Sequence, residues 1–105
     1  MITEITSTEH FKQIINQDAV CVVDYHAEWA GPAKQLLATL DQLSKVYRKV
    51  NFYTVDVDEH AQLTQMAGAR IFPTVIIYRS GAKLNAMSGA SPEGLSTLIQ
   101  TAVCA

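Results

Sequence analysis

Apolar positions along the chain switch between two spacings, and the switches mark out its elements. Phe11, Ile14 and Ile15 lie on one helical face. Thr6-Ser7-Thr8-Glu9 ahead of them reads as a capping box, with Thr6 as N-cap and Glu9 at N3. Val20 to Tyr25 is β-branched and almost wholly apolar, the pattern of a central strand covered on both faces. Leu36, Leu40, Leu43 and Tyr47 return to helical spacing, and Pro32 suits the first turn of that helix. Phe52 to Val57 reads as a second strand. Glu59 to Ala67 reads as a short helix stopped by Gly68. Thr74 to Tyr78 is a buried strand, Ser80-Gly81 a turn, and Lys83 to Ser88 an alternating edge strand. Ser91-Pro92-Glu93 then opens a last helix with N-cap, proline and acid in order, and Leu95, Leu98, Ile99 and Ala102 form its apolar face.

The order is helix, strand, helix, strand, helix, strand, strand, helix, with room for a short strand at the very start. Helical crossovers between strands imply parallel pairs, and the late hairpin implies an antiparallel edge. The fold class is therefore α/β, with a mixed sheet between helices.

Composition narrows the function. At 105 residues the chain fits one compact domain spanning 1–105 with a real core. With 49% hydrophobic residues, disorder is not expected. A formal charge of −2 with scattered Lys and Arg argues against a nucleic-acid or anionic-membrane surface. The longest apolar run, Ala19 to Val23, is far too short to span a bilayer, and Met1 to Glu4 lacks the basic-then-apolar order of a secretory signal. The two cysteines do not form a disulfide scaffold: Cys21 reads as a small buried hydrophobe and Cys104 as an exposed thiol. A reducing, cytoplasmic setting and a monomer are expected. His10, His26 and His60 have no ligand spacing with the cysteines, so no metal site and no cofactor are expected. Asp56-Val57-Asp58-Glu59 reads as a solvated strand end.

The chemistry-bearing segment is Asp24-Tyr25-His26-Ala27-Glu28-Trp29-Ala30-Gly31-Pro32-Ala33-Lys34. It resembles the signature of the thioredoxin family, a strand ending in a Trp-Cys-Gly-Pro-Cys-Lys loop that opens a helix. Trp29, Gly31, Pro32 and Lys34 match, whereas Ala30 and Ala33 stand where the family has its two cysteines. The resemblance continues in register through Phe72-Pro73-Thr74, similar to the cis-proline segment, Tyr78-Arg79-Ser80-Gly81, and Ser88-Gly89-Ala90, similar to the glycine segment beside the substrate groove. It implies the thioredoxin fold, a mixed four- to five-stranded sheet flanked by four helices. It also implies protein-disulfide oxidoreductase activity in cell redox homeostasis, disulfide-containing target proteins, and a thioredoxin reductase as partners.

By that resemblance, position 30 is the attacking and position 33 the resolving site. An attacking thiolate just before a helix is stabilised by free N–H groups and the dipole. It forms a mixed disulfide, and the second thiol releases the product. A methyl group does neither, so the chain as written is expected to be inactive. The resemblance makes Asp24 a buried acid that helps move the resolver's proton, and Thr54 stands where many relatives carry a lysine near it. It gives Trp29, Gly31, Pro32, Phe72, Pro73, Gly89 and Ala90 to a shallow substrate groove. Pro73, directly before a central strand, suits a cis bond. Ala38 replaces a proline that often kinks the second helix. Three readings follow: an active thioredoxin disarmed at both cysteines, a natural redox-inactive binding or structural module, or an unrelated catalysis by the alanine loop, for which the sequence offers no nucleophile–base pair. Retention of Asp24, Trp29, Gly31, Pro32 and Pro73 favours the first.

Overall fold

The computed structural model describes residues 2–29, 33–89 and 91–104. The first strand, β1 (Ile2–Glu4), is short, but the ladder continues past it, because Ile5 N–H donates to Thr54 O at 2.9 Å. That delays the first helix by one residue. α1 spans Thr8–Ile15, and its N-cap is Ser7, whose hydroxyl accepts the His10 N–H. Thr6 therefore does not cap α1: strand geometry still claims the chain at Ile5, and the next hydroxyl takes the role. Phe11 and Ile14 are the buried face of α1, each contributing roughly 1.5–3 kcal/mol by leaving water.

β2 (Cys21–His26) is buried except at its last residue, as its apolar run requires. α2 (Ala33–Val46) continues unbroken through Ala38, and Tyr47 extends its last turn with an N–H bond to Leu43 O. β3 is Asn51–Asp56. α3 is Ala61–Ala67 and ends on Gly68 in the left-handed region at φ 78°, a conformation that costs glycine little. Glu59, expected inside α3, instead lies in a tight turn: Asp56 Oδ1 accepts the Asp58 N–H and Asp56 O accepts the His60 N–H. β4 (Thr74–Arg79), β5 (Ala82–Ser88) and α4 (Pro92–Cys104) complete the chain. The Ser91 hydroxyl accepts the Gly94 N–H, as expected of the α4 cap.

Among the described residues, five strands form one sheet in the order β1-β3-β2-β4-β5. β1 and β2 both run parallel to β3, while β4 is antiparallel to β2 and β5 to β4. The crossover through α3 thus does not make a parallel pair. Seven helical residues cover about 10 Å, whereas returning along a six-residue strand needs about 20 Å. β4 therefore starts at the sheet end where β3 finished and runs back beside β2.

Two cores result. Phe11 and Ile14 of α1 and Leu63 and Ala67 of α3 pack with Cys21, Val23 and Tyr25 on one face. Leu36 and Leu40 of α2 and Leu95, Leu98 and Ile99 of α4 pack with Val22, Val75 and Ile77 on the other. Cys21 is a buried thiol whose Sγ donates to Ile14 O, and burial pushes its pKa up. Cys104 is exposed.

Candidate functional site

The site grows from the reversal of β4. Tyr25 of β2 pairs with Thr74 of β4, and Thr74 in turn with Ser88 of β5. The residue before β4 and those following β2 and β5 must therefore lie at one end of the sheet. The Phe72–Pro73 peptide bond there is cis. Gly89 N–H donates to Pro73 O at 2.9 Å, which ties the β5 exit to the proline. Gly89 holds φ 93°, where a side chain would be strained. Thr74 Oγ1 donates to Ile71 O, so the Thr74–Ser88 hydroxyl pair at 3.0 Å is donated by Ser88. These bonds hold the turn before β4 closed.

Trp29 is 68% exposed. Its indole is nevertheless fixed: the ring meets Phe72 edge-on, with centroids 6.2 Å apart at 85°, and Nε1 donates to Asp58 Oδ2 at 3.1 Å. Trp29, Val57, Asp58, Ala61, Arg70 and Phe72 line a cleft of about 370 Å³. A smaller hollow beside it runs along β4 and β5 and shares Gly68, Ala69 and Arg70 with the first. Of the expected groove, Trp29, Phe72, Pro73 and Gly89 come together. Gly31, Pro32 and Ala90 lie outside the described residues, as does Ala30. Ala33 opens α2, and its side chain is likewise outside them.

Asp58 is the contributor that the sequence pattern hid. A run of charges at a strand end looks solvated, but the turn held by Asp56 aims Asp58 at the indole. Asp58→Ala is expected to free the indole and shift Trp29 emission. Stability should fall by no more than about 1 kcal/mol, because the bond is exposed. Trp29 is the only tryptophan, so emission reports it directly. An unchanged spectrum would mean that Asp58 does not hold the ring.

Asp24 sits behind this rim. It alternates with Val22 on the α2/α4 face, opposite Thr54 of β3 and Val75 of β4. It is fully buried, and among the described residues neither carboxylate oxygen has a hydrogen-bond partner. Burial pushes its pKa up to about 7. A carboxyl group in that range exchanges a proton near neutral pH, the property a proton relay needs. His26, Glu28, Lys34 and Leu37 line a separate open cleft of about 340 Å³ between the end of β2 and the first turns of α2.

The same order of parts is found in known proteins. The Thioredoxin family model matches residues 2–101. Thioredoxin 1 of Plasmodium falciparum is 35% identical over 100 residues, covering 95% of this chain and 96% of that protein. Thioredoxin of Malassezia sympodialis is 38% identical over 97 residues, covering 90% of this chain and 92% of that protein. The solved structure of the Malassezia sympodialis thioredoxin superposes with a TM-score of 0.91 at 36% identity, over 96% of this chain and 90% of that one. That of Plasmodium falciparum thioredoxin gives 0.90 at 34% identity, over 94% and 97%. Nearly the whole length of the sequence follows that pattern, from β1 into α4, and the chain belongs to the thioredoxin family.

Proposed function

We propose that this chain is a thioredoxin-type disulfide oxidoreductase silenced at both redox positions, which docks disulfide-bearing protein segments without exchanging their disulfides. The observation that carries this reading is the assembled rim: Trp29 held by Asp58 and Phe72, with Gly89 bonded to Pro73 at its other side. Thioredoxins are disulfide oxidoreductases, and that rim lies beside a loop in which alanine occupies positions 30 and 33. In the active form, a thiolate at position 30 attacks the target disulfide, one target sulfur leaves as thiolate, and a thiol at position 33 displaces the second. Asp24 takes the resolver's proton. Here no sulfur is present at either position, so only the docking step remains.

Docking uses the polar backbone beside Pro73, where an extended segment adds as a strand, and the exposed face of Trp29. Such a patch is small, so noncovalent binding is weak. Ala30, Gly31, Pro32 and Ala90 complete the groove in this reading. Disulfide-containing proteins and a thioredoxin reductase are the partners of the active form. A cytoplasmic setting belongs to the same reading, supported by two unpaired cysteines.

The test is trapping. Ala30→Cys alone is expected to attack a target disulfide and remain as a stable mixed disulfide, since position 33 cannot resolve it. Mass spectrometry should show one target chain per protein, released by dithiothreitol, whereas the unchanged chain shows none. If folded Ala30→Cys forms no adduct, position 30 is not the attacking site and the reading falls.

A further inference from the structure

Among the described residues, three charged side chains line the cleft beside Trp29 and the hollow next to it: Asp58, Arg70 and Lys83. Two are committed within the fold. Asp58 accepts the Trp29 indole N–H. Lys83 Nζ donates to Ala67 O at 3.1 Å, neutralising the carbonyl end of α3. Arg70 is exposed, and among the described residues its guanidinium makes no ion pair or hydrogen bond. It stands on the wall shared by the two recesses, so any segment crossing from one to the other passes it. Exposed apolar side chains flank it in the two recesses: Trp29 is 68% and Ile71 65% exposed.

We infer that Arg70 is a specificity-determining residue that selects partner segments carrying an acidic side chain. This rests on the docking reading above and adds a chemical preference to it. A guanidinium presents a planar fork of donors that matches a carboxylate, and a flanking apolar surface strengthens such a pair by excluding water. Asp58 at the Trp29 end of the same cleft repels an acid, so the carboxylate is favoured only at the Arg70 end. The two opposite charges thereby also fix the direction of the bound segment. The chain as a whole carries a formal charge of −2, which steers basic partners toward it, not acidic ones. A preference for acid must therefore arise locally, and of the two cations there Lys83 is bonded to the end of α3, which leaves the Arg70 fork to take the carboxylate.

The probes are short acetylated and amidated peptides of Val, Ser and Phe with one central Asp, Asn or Lys. Binding is read from Trp29 emission and from the amide resonance of Gly89. The Asp peptide should bind about two- to fivefold tighter than the Asn peptide, the range of a solvent-exposed ion pair, and the Lys peptide should be the weakest. The gap should close at about 0.5 M NaCl. Arg70→Gln should erase the Asp advantage while leaving Asn-peptide affinity in place, and Arg70→Glu should make Lys the preferred residue. Equal binding of Asp and Asn peptides to the unchanged chain, or an Asp preference surviving Arg70→Gln, overturns the inference and leaves docking intact. If no peptide moves either signal, docking itself fails and the preference with it.

Discussion

Placing cysteine at both silent positions, Ala30→Cys with Ala33→Cys, is expected to turn a chain with no insulin reduction above the dithiothreitol background into a catalyst. The gain has two sources. A thiol ahead of α2 titrates below the free value: moving its pKa from ~8.5 toward ~7 raises the thiolate fraction at pH 7 from about 3% to about half. The second thiol converts a dead-end mixed disulfide into a turnover. The larger thiolate fraction is partly offset by the lower nucleophilicity of a less basic sulfur, so the thiol at position 30 attacks about three- to fourfold faster than an unperturbed one, and turnover through the second thiol carries the rate above the dithiothreitol background. The surrounding parts need no change, since Asp24, Trp29, Pro73 and Gly89 are in place. Turbidity of reduced insulin measures it. A double variant that folds and stays inactive would remove the disarmed-enzyme reading and leave a binding module.

Neutralising the buried acid should give the second large effect, on stability instead of rate. Asp24 has an ordinary value of 3.8 that burial raises to about 7. Between those limits the folded chain holds a proton that the unfolded chain has released. Stability is then complete below about pH 4 and falls as pH rises toward 7, the reverse of a salt-bridged carboxylate. A shift of about three units corresponds to roughly 4 kcal/mol across the window. Asp24→Asn has nearly the same shape as the protonated acid and leaves the same bonds unmade. It should match the unchanged chain near pH 4 and exceed it by up to about 4 kcal/mol at pH 8. Urea midpoints at the two pH values measure this. If the Asn variant weakened with pH as the parent does, the slope would belong to another group. Thr54→Lys, opposite Asp24 on β3, places a cation where it can lower that pKa.

Much of this was readable in the sequence because core positions obey a period. The apolar spacing of Leu36 and Leu40, or of Leu95, Leu98 and Ile99, marks a buried helix face, and the structure buries those residues. Three features escaped for separate reasons. Thr6 and Ser7 are both hydroxyls, and only the β-ladder reaching Ile5 decides which one caps α1. Strand direction across α3 depends on length, which periodicity does not weigh. The Asp58–Trp29 bond joins residues 29 positions apart, and a charge in a polar run carries no local mark of its partner. Trp29, Phe72, Pro73 and Gly89, which the structure brings together, were named through their resemblance to a known pattern. Their grouping at one end of the sheet needed the fold.

That grouping also limits where the chain can tolerate growth. Each turn added to α3 lengthens it by about 5 Å. Two would make it long enough to span the sheet, and β4 could then enter from the opposite end of the strands. Phe72 would then lie about 20 Å from the indole it now meets. Insertions within 61–67 thus threaten function long before they threaten the core. The exposed corner at 48–49 between α2 and β3 carries no such penalty, and length variation among family members should collect there.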